Sequence, residues 1–176
     1  IQADYAQARE YLEAALELYR QGSNLLGESR VLNSLGVVLL DQLDLESARA
    51  YQEQALEMKR LLGDRYGTIV VLANLGTNAI YRYEYEGALR HFQENLAACQ
   101  EIEDQEGIET ALIGIGYCRM ALGDFQAAQK NLIEAATIAT EIGDRAGAAE
   151  SMINQALLAH YLNLPEQGLH LAELAR

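Results

Sequence analysis

Three histidines (His91, His160 and His170) and two cysteines (Cys99 and Cys118) are the side chains here best suited to metal or nucleophilic chemistry. A structural zinc site needs four such ligands in one place and a catalytic site three. His160 and His170 fall on consecutive helical segments and could approach each other, but no cysteine or acidic cluster accompanies them. His91 shares a repeat position with Tyr11 and Tyr51, which marks it as a packing residue. Both thiols stand at packed-looking helical positions, and two lone cysteines make no disulfide framework, so they read as small buried hydrophobes in a reducing cytosol. The glycines recur 40 residues apart instead of within six, so no phosphate-cradling loop is present, and no serine sits in a nucleophile elbow. The sequence therefore predicts no enzyme, no cofactor and no metal.

The side chains that remain with directional chemistry are amides and tyrosines. Asn33, Asn74 and Asn154 can each donate and accept at once, which is what clamping an extended peptide backbone requires. The alternative for each is an amide that caps a helix or faces water. Tyr81, Tyr117 and Tyr161 offer flat, amphipathic contact area. Arg30, Thr77 and His160 complete the candidate set. The run Tyr81-Arg-Tyr-Glu-Tyr85 could form an aromatic patch at one edge, with Tyr85 in a core column and Tyr83 undecided.

These side chains are placed by a repeat of 40 residues. Leu35-Gly36, Leu75-Gly76 and Ile115-Gly116 follow that spacing, with Gln155-Ala156 in register. So do Ala8, Ala48, Ala88 and Ala128, then Gly27, Gly67, Gly107 and Gly147, then Asn24, Asp64, Asp104 and Asp144. Each period holds two helices. Leu32, Leu35, Gly36 and Leu39 line one face at helical spacing, and Ala48, Tyr51, Gln52 and Ala55 line the next. Between them, Asp41-Gln-Leu-Asp44 is too short for anything but a tight antiparallel turn. Nine helices are predicted, over roughly 5–21, 25–41, 45–62, 65–82, 85–102, 105–121, 125–142, 145–161 and 165–176. Asn24, Asp64, Asp104 and Asp144 are expected to cap first helices, Asp44 and Asp124 second helices, and Pro165 to open the last. Gly63, Gly123 and Gly143 suit left-handed helix ends, and Asn163 tolerates that conformation; Leu43 and Tyr83, in the column of Gly123, predict another turn geometry there.

These columns resemble the tetratricopeptide repeat in its lengthened, 40-residue form. The phrases that carry the resemblance are Leu62-Gly-Asp-Arg-Tyr-Gly67, Asn74-Leu-Gly76, Leu122-Gly-Asp-Phe125 and Glu53-Gln-Ala-Leu56. Similar arrays occur in kinesin light chains, in spindle-orientation adaptors with GoLoco motifs and in bacterial STAND-type regulatory ATPases. The resemblance implies an all-α, right-handed superhelical solenoid of antiparallel hairpins. It covers 1–176 as one array: an orphan second helix at 5–21, then hairpins 24–62, 64–102, 104–142 and 144–176, cut from a longer protein. It also implies a groove lined by the first helix of each hairpin. Leu40, Ile113, Gly114 and Met120 join the candidate residues on that predicted face. Gln52 and Asn95 stand in columns that are usually apolar, which predicts looser packing or partial exposure.

The expected function is a scaffold that binds a protein or peptide segment in the groove. The alternative is the sensor or autoinhibitory module of a larger signalling or transcription-regulating ATPase. A net charge of −13, from 13 basic against 26 acidic residues, argues against nucleic acid and favours a neutral or basic partner. Only Arg30 among the groove residues is basic, so an acidic C-terminal tail is not the expected ligand. No apolar run is long enough to span a membrane, and with two thiols read as reduced the expected location is the cytoplasm. Exposed apolar faces on the first and last helices predict end-to-end self-association.

Overall fold

A computed structural model describes residues 5–174, and all their regular structure is helical. The order is α1 (Tyr5–Gln21), α2 (Leu25–Asp41), α3 (Leu45–Leu61), α4 (Arg65–Tyr81), α5 (Tyr85–Glu101), α6 (Gln105–Ala121), α7 (Phe125–Ile142), α8 (Arg145–Tyr161) and α9 (Pro165–Leu174). The periodic segments form the expected helices, and Pro165 opens α9. Residues 175 and 176 of the last predicted helix lie outside the described residues.

At six of the joints one residue serves both helices. The backbone N–H of Asp64 donates to Lys59 O at 3.0 Å, closing α3. The Asp64 carboxylate then accepts the Gly67 N–H at 2.9 Å, opening α4. Asn24, Asp44, Asp104 and Asp124 each make the same two bonds, and Asp144 differs only in accepting from the Ala146 N–H, two residues on. The first bond is the six-to-one link of a Schellman motif, which forces the preceding residue into the left-handed region. Gly63, Gly123 and Gly143 are there, at φ 65°, 84° and 78°. Leu43 and Tyr83 are there too, at φ 62° and 60°. The expectation of a different turn at these two positions is overturned: both take the left-handed backbone, and at Leu43 the Asp44 N–H bond to Leu39 O, 2.9 Å, sets it against the preference of the side chain.

The described residues fall into two compact units, divided between Arg82 and Tyr83. In the first, α2 packs between α1 and α3 and also touches α4. Leu16, Leu32, Leu35, Leu72 and Leu75 form its main core, and Leu39, Leu40 and Ala48 a smaller one. A methyl on Gly36 would stand 2.5 Å from Gln52 Cγ and 3.1 Å from Ala48 O, so glycine is what lets α2 lie on α3. Gln52 is 0 % exposed, and neither of its amide atoms has a protein partner. Asn95, in the second unit, is buried as well. Partial exposure of these polar columns is thus corrected: the helices pack closely over both amides.

In the second unit each helix packs on the next, and α6 also reaches α8. Leu132, Leu158 and Met120 form one core, with Leu112, Ile113 and Ala135 in another. Leu132 lies 2.8 Å from where a Gly116 methyl would be, the same place that Gln52 takes against Gly36.

Candidate functional site

Packing of α2 against α4 in the first unit brings Asn33 and Asn74 together. Asn74 Nδ2 donates to Asn33 Oδ1 at 3.0 Å, and both side chains are half-buried. The paired amides keep an N–H on Asn33 and a carbonyl oxygen on Asn74, the complement of one peptide group. Around them, on the same two helices, Val37, Val70 and Tyr81 are exposed. Thr77 and Ser34 turn their hydroxyls onto their own helices, donating to Ala73 O and Arg30 O at 3.1 Å each. Arg30 is exposed and lies near the Asp64 carboxyl. That carboxyl is held below the usual carboxylate range by the Lys59 hydrogen bond first, then by the Gly67 N–H, with Arg30 adding to both.

Tyr117, Asn154, His160 and Tyr161 belong to the second unit. Asn154 is nearly buried and donates back to Glu150 O of its own helix at 3.1 Å. The tyrosines meet other rings. Tyr117 lies 6.4 Å from Tyr85, which lies 6.3 Å from Tyr83, while Tyr161 stacks on Phe125 at 6.1 Å and meets His160 at 6.2 Å. Tyr117 and Phe125 pack on the same core residues. Burial raises the Tyr117 hydroxyl above the ordinary tyrosine value, with the hydroxyls of Tyr85, Tyr161 and Tyr83 adding to the effect. The aromatic patch expected around Tyr83 is therefore a row of rings along the hairpin turns. Leu40, Ile113, Gly114 and Met120, placed on the open face by periodicity, are buried instead. At Gly114 a methyl would meet the Phe92 ring at 2.6 Å.

Glu109 is a residue that the sequence reading missed. It occupies the column of Ser29, Ile69 and Ala149, yet it is only 2 % exposed. Tyr19, Lys59 and Cys99 cover Gly27, Gly67 and Gly107 from the preceding helix. At Gly147 the corresponding residue is Ala139, too short to reach, and the Glu109 carboxyl fills the place from α6. Burial pushes that carboxyl up to about 7, and Asp144, Glu150 and Glu106 push the same way. Burial likewise drives the Cys99 thiol to about 11 and Cys118 to about 12, far from a reactive thiolate. Among the described residues no group of three or more His, Cys, Asp or Glu could hold a metal ion. No helix there is long and apolar enough to cross a membrane.

Comparison with known proteins agrees with this architecture. Family models of the tetratricopeptide repeat match residues 1–61 and 68–106, together more than half of the chain. The chain superposes on BtubC (BKLC) from P. vanneervenii with a TM-score of 0.86 at 15% identity, covering 99% of this chain and 72% of that one. A Rap protein complexed with competence and sporulation factor gives 0.78 at 19%, covering 98% and 50%. A STAND protein with a tetratricopeptide repeat sensor from Pyrococcus horikoshii gives 0.78 at 20%, covering 97% and 27%. At these identities the likeness is one of fold. No curated protein sequence matches significantly.

Proposed function

Because the chain belongs to the tetratricopeptide repeat family, we propose that it is a non-catalytic scaffold that holds an extended segment of a partner protein on the face where Asn33 and Asn74 pair. The observation that carries this reading is the 3.0 Å bond between the two amides. It fixes their rotamers, so little side-chain entropy is lost when a peptide group docks on them. Val37, Val70 and Tyr81 supply the apolar flanks. Tyr117, Asn154, His160 and Tyr161, in the other unit, serve a second segment. The net charge of −13 selects a neutral or basic partner.

The test is the affinity for a partner recovered by pull-down and peptide mapping. Asn33→Ala with Asn74→Ala should weaken binding about thirtyfold while helix content holds, since two hydrogen bonds of about 1 kcal/mol each are lost. Glu57→Ala and Lys130→Ala should do much less. Equal loss in both sets would place the binding surface elsewhere.

A second reading, the sensor array of a larger signalling ATPase, draws on the fold shared with the Pyrococcus horikoshii STAND protein. An ATPase module in the same polypeptide would favour it. Self-association is also part of this proposal. Tyr11 and Leu18 on α1, and Leu169 and Leu174 on α9, are well exposed. Sedimentation at rising concentration should show larger species, and Leu18→Gln with Leu169→Gln should remove them.

A further inference from the structure

We propose that Glu109 and Asp144 share one proton at the joint between α7 and α8, and that this proton latches the start of α8 to α6. The latch does not rest on the proposed binding face. Asp64, Asp104 and Asp144 each spend one carboxylate oxygen on capping the helix they open and turn the other over the glycine three residues on. What meets that second oxygen differs from joint to joint. At Asp64 it is the Lys59 ammonium, 2.6 Å from Oδ2. At Asp104 the Cys99 thiol crowds the same place over Gly107. At Asp144 it is the Glu109 carboxyl, whose Oε1 takes the place over Gly147 and which hydrogen-bonds Asp144. An ammonium or a thiol brings a hydrogen to donate, and a carboxylate brings none. Two carboxyl groups in hydrogen-bond contact therefore hold together only while one of them is protonated. Asp144 accepts the Ala146 N–H at the start of α8, where a negative charge is favoured. The proton therefore sits on Glu109, 2 % exposed, and its O–H donates to Asp144.

The other charges acting on Glu109 are Glu106 of its own helix and Glu150 of α8, both negative. Here α7 presents the uncharged Ala139, and α5 presents Cys99, neutral because burial holds its thiol at about 11. Asp104 caps α6, and Arg145, beside Asp144 in sequence, is exposed. When Glu109 loses its proton to water, the pair passes from one negative charge to two in a buried place, and the hydrogen bond is lost. Its value of about 7 lies above the ordinary one, so the latch is fastened at lower pH and loosens as pH rises through 7. A cavity of about 390 Å³, lined by Glu106, Ile142, Gly143 and Asp144, gives the proton a way out. Because α8 carries Asn154, His160 and Tyr161, the latch also sets how firmly those residues are held, a consequence that alone rests on the proposed function.

Residue-resolved hydrogen exchange of the 176-residue chain between pH 5 and pH 8, corrected for the intrinsic exchange rate, tests this. Protection of the Ala148 amide, which donates to Asp144 O in the first turn of α8, should fall about tenfold or more over that range. Protection of the Thr68 amide, which makes the same bond at Asp64, should hold, because the donor there is an ammonium. Glu109→Gln keeps a donor for Asp144 and has no proton to lose, so Ala148 should stay protected up to pH 8. Asp144→Asn still caps the helix, as Asn24 does, and can donate to an ionised Glu109, so it should flatten the pH dependence as well. In the parent, the carbon-13 resonance of the Glu109 carboxyl should titrate near 7, which reads the proton without any substitution. An equal fall in protection at Thr68, an unchanged fall in Glu109→Gln, or a Glu109 carboxyl titrating at its ordinary 4.5 would each overturn the proposal.

Discussion

Gln52 and Leu132 hold the same station in their hairpins, each closing over a glycine, but only Leu132 has chemistry suited to the place. A buried amide without a partner costs about 1–3 kcal/mol. Gln52→Leu should therefore raise the thermal midpoint, by about 1 kcal/mol or more in stability, whereas Leu132→Gln should lower it. Glu109 makes the complementary prediction. Its folded-state value of about 7 lies above the ordinary 4.5, so folding takes up a proton. The folded state is unpenalised below about pH 4.5, loses stability as pH rises toward 7, and carries the full penalty above that. Glu109→Gln should then be more stable than the parent at pH 8 and lose that advantage by pH 4, as followed by chemical denaturation. The sequence showed that Gln52 breaks an apolar column. It could not show that the amide stays inside, because that depends on how closely Gly36 lets α2 approach. Glu109 resembled any surface glutamate, since its burial follows from the shortness of Ala139 on a different helix.

Helices and their ends were the most legible level, because caps and apolar periodicity act within a few residues of chain. The joints differ in cost, however. Asp64 caps α4, closes α3 and neutralises the Lys59 ammonium, whose side chain is only 5% exposed, across 2.6 Å. Asp124 does the first two and meets no buried cation. Asp124→Ala should cost about 1 kcal/mol, the usual worth of a cap. Asp64→Ala should cost about 3–5 kcal/mol, because it strands a buried charge, and Lys59→Met in the same chain should recover much of the loss. The Asp64 value is depressed, so its contribution is present at neutral pH and disappears as pH falls through that lowered value. Leu43 was misjudged at this level because residue preference was weighed without the Asp44 hydrogen bonds that override it, and Tyr83 takes the same backbone.

At the scale of the molecule, the repeat told that the chain is all-helical and of the tetratricopeptide type, and family membership bears that out. It did not tell which flank of a helix stays open. Met120 and Ile113 look like groove residues on a single helical wheel, yet α6 is covered from α5, α7 and α8 together, and both are buried. The pairing of Asn33 with Asn74 likewise emerges only once α2 and α4 lie side by side. Left-handed residues occur at 23, 43, 63, 83, 103, 123, 143 and 163, every twenty residues, whatever the side chain. The genetic message can therefore be cut and rejoined between any two of these positions that are 40 residues apart, and the backbone at the seam is already correct. Such a chain can lengthen or shorten by whole hairpins through recombination, with selection left to act on the surfaces each new copy displays.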